Sequence, residues 1–307
     1  MRDMLEGSPA QRRALYRACF ALASVIPPGL GRVLAYILGY LGWALDARGR
    51  KVVERNLAHF VPAWSDAHRR AVRRAFIDFC IVTYESFAMP TLPAAMFQPP
   101  NLEFIDPWNC YARKPLPGPT VMLSVHCNCE LILAAAYHLK LNDGIEAIAL
   151  THGDDLDALW DRMRAAVKCR TLLLDKGGPL ASLRALKAGK TLGVVGERDY
   201  SGSGLPVMFA GEMMSMPIGS AAMAVQTGAV VIPHLLARRG WSRWTLIVGR
   251  PLRPDPDAPK QAQVTAMTRA IGHVFARFIA TVPAQWTAFH DHWPALPQRD
   301  ARASRPA

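Results

Sequence analysis

From residue 118 onward the chain alternates short apolar runs, bounded by turn residues, with longer stretches of helical period. No other feature constrains the fold as much. PTVMLSVH leads into a helix from about Cys129, GIEAIALTH into one over 154–168, and CRTLLLD into one over 178–188. TLGVVGERD is a fourth strand, GAVVIPHLLAR and SRWTLIVGRPL are two more, and 260–281 is a final long helix. Strands that alternate with helices pack them as crossovers against a sheet. The pattern predicts an α/β fold: a mixed, mostly parallel sheet flanked by helices.

Upstream the period is helical throughout. Over 49–87, the Pro in RNLAHFVPAW ends one helix and Ser65-Asp66 can cap the next. In that second helix Val72, Ala75, Phe76, Phe79, Cys80 and Tyr84 recur at spacings of three and four, and Arg69, Arg70, Arg73 and Arg74 lie on the other side. Residues 14–26 and 33–45 are two apolar runs of 13 residues, separated by Pro27-Pro28. Each falls short of the ~20 residues a spanning helix needs. Arg12 and Arg13 precede them; Arg48, Arg50 and Lys51 follow. Two readings stand: a helical hairpin or interfacial helix seated in a membrane surface, or a pair of core helices. The division expected is an N-terminal membrane-associating region over 1–48, a main domain over 49–294 and a disordered tail over 295–307. MRDMLEGSPAQRR mixes acidic, basic and polar residues, so no cleavable leader is expected.

Charge narrows the partners. A net charge of +12, with 51% hydrophobic residues, points to an acidic partner, either nucleic acid or an anionic membrane face. No helix-turn-helix, finger or aromatic-basic strand motif supports nucleic acid. The six cysteines form no CxxC pair, which reads as reduced thiols in a cytosol-facing protein.

The chemistry concentrates in SVHCNCELIL, residues 124–133, where a strand ends and a helix begins. Active residues of open α/β sheets gather at such ends. Glu130 lies four residues after His126, so a prompt helix start puts the two on one face. A carboxylate beside an imidazole fixes its tautomer and stabilises the imidazolium, which suits a His that deprotonates a hydroxyl. Three competing readings exist. His126 can be a structural histidine. His126, Cys127, Cys129 and Glu130 can be metal ligands, although the second cluster, Cys169 with Asp175, lacks zinc-type spacing. Cys127 or Cys129 can be a nucleophile, although neighbours one residue along a helix point apart. Further on, GERDYSGSG offers Glu197, Arg198 and Asp199 at a strand end. Phe209, Gly211, Pro217 and Gly219 then precede a helix of small residues, either a loop and helix N-terminus near a phosphate or ordinary turn chemistry. Met213, Met214 and Met216 could line a groove or simply pack.

The order of these pieces resembles the bacterial lipid A biosynthesis acyltransferase family, related to mycobacterial phosphatidylinositol-mannoside acyltransferases. VVERNLAHFVP, HCNCEL, RMRAAVKC, ERDY, MFAG…MPIG, AVQTGAVVIP and PAQWTAFHDHW match its motifs in sequence, over roughly residues 12–294. The resemblance implies a glycerolipid acyltransferase-like fold. It implies O-acyl transfer from acyl-carrier protein or coenzyme A to a membrane lipid or glycolipid, a lipid A-type acceptor first. It also implies the cytoplasmic face of the bacterial inner membrane, and no metal or redox cofactor. His126 corresponds to the catalytic base, Glu130 to its carboxylate, and Glu197 and Asp199 to the acids of a D-x-D-Y motif. Arg164, Asp199, Asn128 and Gly219 fall on the substrate side. One departure stands out: the family separates His and carboxylate by five residues, and here the separation is four. Either the helix starts earlier, or Glu197 orients the imidazole instead. The remaining alternative is a catalytically degenerate scaffold that binds lipid or membrane.

Overall fold

The computed structural model of the protein describes residues 9–112, 116, 118–141, 144–149 and 154–293. The tail expected to be disordered, 295–307, lies outside the described residues. Four helices come first: α1 (Pro9–Val25), α2 (Pro28–Leu45), α3 (Ala47–Ala58) and α4 (Asp66–Ala88). Ser65 caps α4 as its sequence signals, its hydroxyl accepting from the His68 N–H at 3.0 Å. After two short 3-10 turns the chain runs β1 (Leu102–Ile105), β2 (Thr120–Ser124), α5 (Cys129–His138), β3 (Ile145–Ala149), α6 (Asp154–Ala165), β4 (Cys169–Leu173), α7 (Gly178–Lys187) and β5 (Thr191–Val195). It ends with β6 (Leu205–Phe209), β7 (Glu212–Met216), α8 (Gly219–Thr227), β8 (Val230–Arg238), β9 (Trp244–Val248) and α9 (Lys260–Thr281).

Seven strands form one sheet in the order β1-β9-β8-β2-β5-β3-β4. All neighbours are parallel except β8 and β9. The sheet is thus mixed and mostly parallel, as the alternation requires. β2 lies at its centre with all five residues buried, the mark of a strand covered on both faces. Val121 and Leu123 face one apolar layer, with Leu192, Ala221, Ala224 and Phe275. Met122 faces the other, with Leu131, Ile132, Ala147 and Leu236.

Two elements differ from expectation. β1 pairs with β9 at the sheet edge, and residues 205–216, read from sequence as a loop leading to a helix, form the antiparallel hairpin β6–β7. Ala210 (φ 50°) and Gly211 (φ 89°) make its two-residue turn, both left-handed as a type I′ hairpin needs. Met214 and Met216 are buried in the core, while Met213 on the opposite face is exposed.

α2 packs across α4 through its small residues. A Cβ on Gly39 would come within 2.5 Å of the Ile77 Cα, so only glycine permits this approach. Gly31 and Ala35 lie on the same buried side. Leu30, Val33, Leu34, Ile37, Leu38, Leu41 and Leu45 are exposed, a continuous apolar stripe at helical spacing on the outside of α2. Among the described residues no helix is long and apolar enough to cross a membrane. Beneath the stripe, Glu85 of α4 accepts from Arg32 Nε of α2 at 2.7 Å and pairs with the guanidinium of Arg238 on β8. That buried cluster ties the N-terminal helices to the sheet.

Candidate active site

His126 follows the C-terminal end of β2, in the four-residue connection to α5, 125–128. Asn128 takes a left-handed conformation (φ 54°) at the start of that helix. Asn128 is held there from both sides: its side-chain amide donates to the Leu236 carbonyl at 2.9 Å and to Gln285 Oε1 at 3.1 Å. The C-terminal segment closes over the same turn. Thr287 donates to the His126 carbonyl from its backbone N–H and its hydroxyl, both at 2.9 Å.

The imidazole partner is Glu197, which follows β5, the strand beside β2. His126 Nδ1 lies 2.7 Å from Glu197 Oε1, and the His126 backbone N–H donates to both carboxylate oxygens at 3.2 and 3.3 Å. A carboxylate only accepts, so Nδ1 carries the proton and Nε2 keeps its lone pair. Trp286 Nε1 donates a further bond to Oε1 at 3.2 Å. The Glu197 side chain is fully buried; that of His126 keeps 22% of its surface open, toward a cavity.

The electrostatics follow from this arrangement. Burial lowers the His126 pKa and Arg198 adds to the effect, while the charge and hydrogen bond of Glu197 oppose them without prevailing, so the ring rests neutral. Burial pushes the Glu197 carboxyl up, but His126, Arg198 and His292 outweigh it and hold the acid well below the usual carboxylate range. Glu197 is therefore ionised, ready to balance a proton arriving on the ring.

Glu130 does not take the place its spacing suggested. It lies in the first turn of α5 and binds Arg164 of α6 through two bonds, 3.1 Å to Nε and 2.5 Å to NH2. Burial would lower the Arg164 pKa, but Glu130 overrides it and raises it. The guanidinium also stacks 5.4 Å over the Trp160 ring and bonds Thr171. The shortened motif thus leaves Glu130 to an arginine, and the acid from the later motif meets the histidine.

A cavity of about 580 Å³ opens beside His126, within the roughly 300–1,000 Å³ of typical small-molecule sites. His126, Glu130, Arg164, Arg198 and Tyr200 supply polar lining, Gly219 and Ser220 line it from the start of α8, and the rest is mostly apolar. The first N–H groups of a helix have no intrahelical partners, and in α8 no side chain caps them. A Cβ on Gly219 would meet nothing within 4 Å. Asn128 and Asp199 do not line the cavity, nor do Met213, Met214 and Met216. Asp199 instead knots its own loop, accepting from the Gly202 and Gly204 N–H groups and from the Ser215 hydroxyl at 2.6 Å. The thiols are poor nucleophiles: burial pushes Cys129 up to about 12 and Cys127 well above its ordinary value. Among the described residues no three His, Cys, Asp or Glu side chains group to hold a metal ion.

Sequence reasoning missed Trp286 and Thr287 as supports of the dyad and Arg198 as a wall of the cavity. Their signal was present: PAQWTAFHDHW and ERDY both stood out as motifs, without roles for these side chains.

Comparison with known proteins follows the same outline. A stretch of 112 residues is 37% identical to the phosphatidylinositol mannoside acyltransferase of Mycolicibacterium smegmatis, covering 36% of this chain and 34% of the relative. A stretch of 120 residues is 34% identical to the protein of that name in Mycobacterium tuberculosis, covering 38% of this chain and 35% of the relative. The matched stretches span about a third of the length of these curated relatives. The family described as bacterial lipid A biosynthesis acyltransferase matches residues 12–294, nearly the whole chain, and the protein belongs to that family.

Proposed function

We propose that the protein transfers an acyl chain from a thioester to a sugar hydroxyl of a membrane glycolipid, with His126 as general base. The observation that carries this reading is the His126–Glu197 pair at the edge of a largely apolar cavity. Nε2 takes the proton of the acceptor hydroxyl, and the oxygen attacks the thioester carbonyl carbon. The C–S bond breaks, an ester forms, and the imidazolium returns its proton to the departing thiolate. Glu197 holds the tautomer and balances the imidazolium, as buried carboxylates do beside catalytic histidines. The uncapped N-terminus of α8, at Gly219 and Ser220, suits the developing oxyanion. The Glu130–Arg164 pair forms a polar wall that orients substrate, and Asn128 and Asp199 act through the backbone they fix.

Both relatives are named phosphatidylinositol mannoside acyltransferases, and the family is named for lipid A synthesis; a sugar hydroxyl on a lipid is common to the two. The donor is acyl-carrier protein or coenzyme A thioester, and the net charge of +12 suits either acidic partner. The exposed stripe on α2, followed by exposed Arg48 and Lys51, suits an anionic membrane face. We assign the protein to the cytoplasmic face of the inner membrane on that basis. Flotation with phosphatidylglycerol vesicles should be strong for the wild type and lost in L38E/L41E; equal flotation of both would remove the stripe from the interface.

The deciding experiment compares lipids by mass spectrometry in a deletion strain, one restored with wild type and one restored with His126→Ala. One glycolipid should lack a single acyl unit in the deletion and in the His126→Ala strain, and its mass names acceptor and chain. Full restoration by His126→Ala would replace this reading with a lipid-binding scaffold.

A further inference from the structure

The cavity crosses the plane of the sheet. β5 stays paired with β2 up to Ser124↔Val195, but with β3 only up to Ala147↔Gly193. Beyond that level β3 stays with β4, so the sheet splits. Alternate residues of a strand face opposite sides, and the lining divides accordingly. One arm lies under α5, against Met122, Ile132, Leu133, Ala147 and Gly193. The other lies between α7 and α8, against Pro179, Leu183, Val194, Ala222 and Met223.

The two arms differ in closure. Every residue named in the α5 arm is buried. The α7–α8 arm reaches solvent, with Leu174, Pro179 and Gln226 exposed along it. A closed apolar arm limits the length of what enters it; an open one does not. The row Met122, Gly193, Ala147 crosses the closed arm in register on three adjacent strands. Gly193 is the low point of that row. A Cβ there would meet Ile145 Cγ2 at 3.1 Å, Ala147 Cβ at 3.6 Å and Leu133 Cδ2 at 3.7 Å. A methyl group there enters the arm if the Ile145 side chain gives by a few tenths of an ångström, and a larger side chain fills more of the arm.

We propose that Gly193 sets the length of the acyl chain the enzyme accepts, by leaving open the floor of the closed arm beneath α5. This rests on the acyl-transfer reading given above. The carbonyl end lies at His126 and the hydrocarbon end stops at the Gly193–Ala147 row. In a close-packed arm each carbon added to the floor displaces about one carbon of the chain.

The test is calorimetric titration of purified wild type, Gly193→Ala, Gly193→Val and Ala222→Leu with saturated fatty acids of graded length. Wild-type affinity should rise with length to a maximum. That maximum should move shorter by about one carbon in Gly193→Ala and about three in Gly193→Val, following the carbons added. Ala222→Leu should leave it in place. An unmoved maximum in the glycine variants overturns the proposal, as does a shift in Ala222→Leu, which would place the chain between α7 and α8. Failure of wild type to bind any fatty acid also overturns it. If Gly193→Val does not fold, Gly193→Ala still decides the matter, because its methyl asks only a few tenths of an ångström of the Ile145 side chain. Acyl transfer is scored separately by lipid mass spectrometry, so loss of the floor and loss of the reaction are distinguishable.

Discussion

Glu85 and Glu197 are both fully buried carboxylates, and each has a guanidinium near it, Arg32 at 2.7 Å for Glu85 and Arg198 at 3.7 Å for Glu197. Glu85 lies under α2 between two arginines, Arg32 and Arg238, and Arg238 stacks 4.0 Å from the centre of the Trp244 ring. Arginine is a permanent cation. Glu197 lies at the end of β5 against an imidazole, and that imidazole borders a cavity. Burial is therefore the same in both places; the partner's titratability and access are not. The first cluster can only fix geometry, welding α2 and α4 to β8. The second can receive a proton and answer it with a charge already in place.

The crossed substitutions give the largest effects and can break this distinction. Glu197→Gln should reduce kcat by on the order of 10²–10⁴-fold, the range seen when a His loses its orienting carboxylate or its general-base function. Glu85→Gln should instead cost stability, about 3–5 kcal/mol, because two buried guanidinium groups lose their counter-charge. Denaturant midpoints and steady-state rates of both variants, measured below their unfolding transitions, check the pair. A Glu85 variant that loses turnover without losing stability would erase the difference between the two sites.

Most of the sheet was legible in the sequence, because buried parallel strands announce themselves as apolar runs between turn residues. β1 was not, because four residues after a Pro-Pro pair carry too little pattern; its pairing with β9 is non-local. The β6–β7 hairpin hid for a different reason. Its turn uses Ala-Gly where Asn-Gly or Asp-Gly would have been read, and its strands are rich in Met rather than β-branched residues. At the site, His126 was legible from its place at a strand end. The partner was ambiguous, since sequence spacing cannot tell which of two acids a ring will face. Asn128 and Asp199 were placed on the substrate side by the family resemblance, which does not say where a side chain's hydrogen bonds go; each bonds to the protein. The Glu85 cluster was invisible, since its members lie 53 and 153 residues apart in sequence.

The pH dependence sharpens the contrast at smaller amplitude. A histidine can serve as a base only when neutral, as the proposed mechanism requires of His126, and the His126 pKa lies below the ordinary 6.5. Activity should rise with pH through a limb below 6.5 and level off above it. Glu197 raises the His126 pKa against burial and Arg198, so in Glu197→Gln the remaining activity should show that limb at still lower pH. Stability has the same sign for both residues. Each has a folded pKa below its unfolded value and binds its proton more readily when unfolded. Their contributions fall away as pH drops, below 6.5 for His126 and below 4.5 for Glu197. Glu85→Gln should leave the kinetic limb where it is. A kinetic limb that follows Glu85 rather than Glu197 would show that the charge felt by His126 is set elsewhere.

Glu130 is the intermediate case and carries the smallest expected effect. Like Glu85 it is bound by an arginine; like His126, the partner of Glu197, it borders the cavity. If contact with a permanent cation fixes a carboxylate's role, Glu130→Gln should behave as a substrate-positioning change. KM should rise and kcat should fall at most a few-fold, with about 1–3 kcal/mol lost from the charged hydrogen bonds to Arg164. The acid limb should move only slightly to lower pH, because Glu130 is the smallest of the influences named on His126. If the distinction is instead one of distance to the reacting atoms, kcat will fall as steeply as in Glu197→Gln and KM will hold. The double variant separates these outcomes. Two carboxylates serving different groups should show independent losses, whereas two serving one imidazole should show less than additive ones.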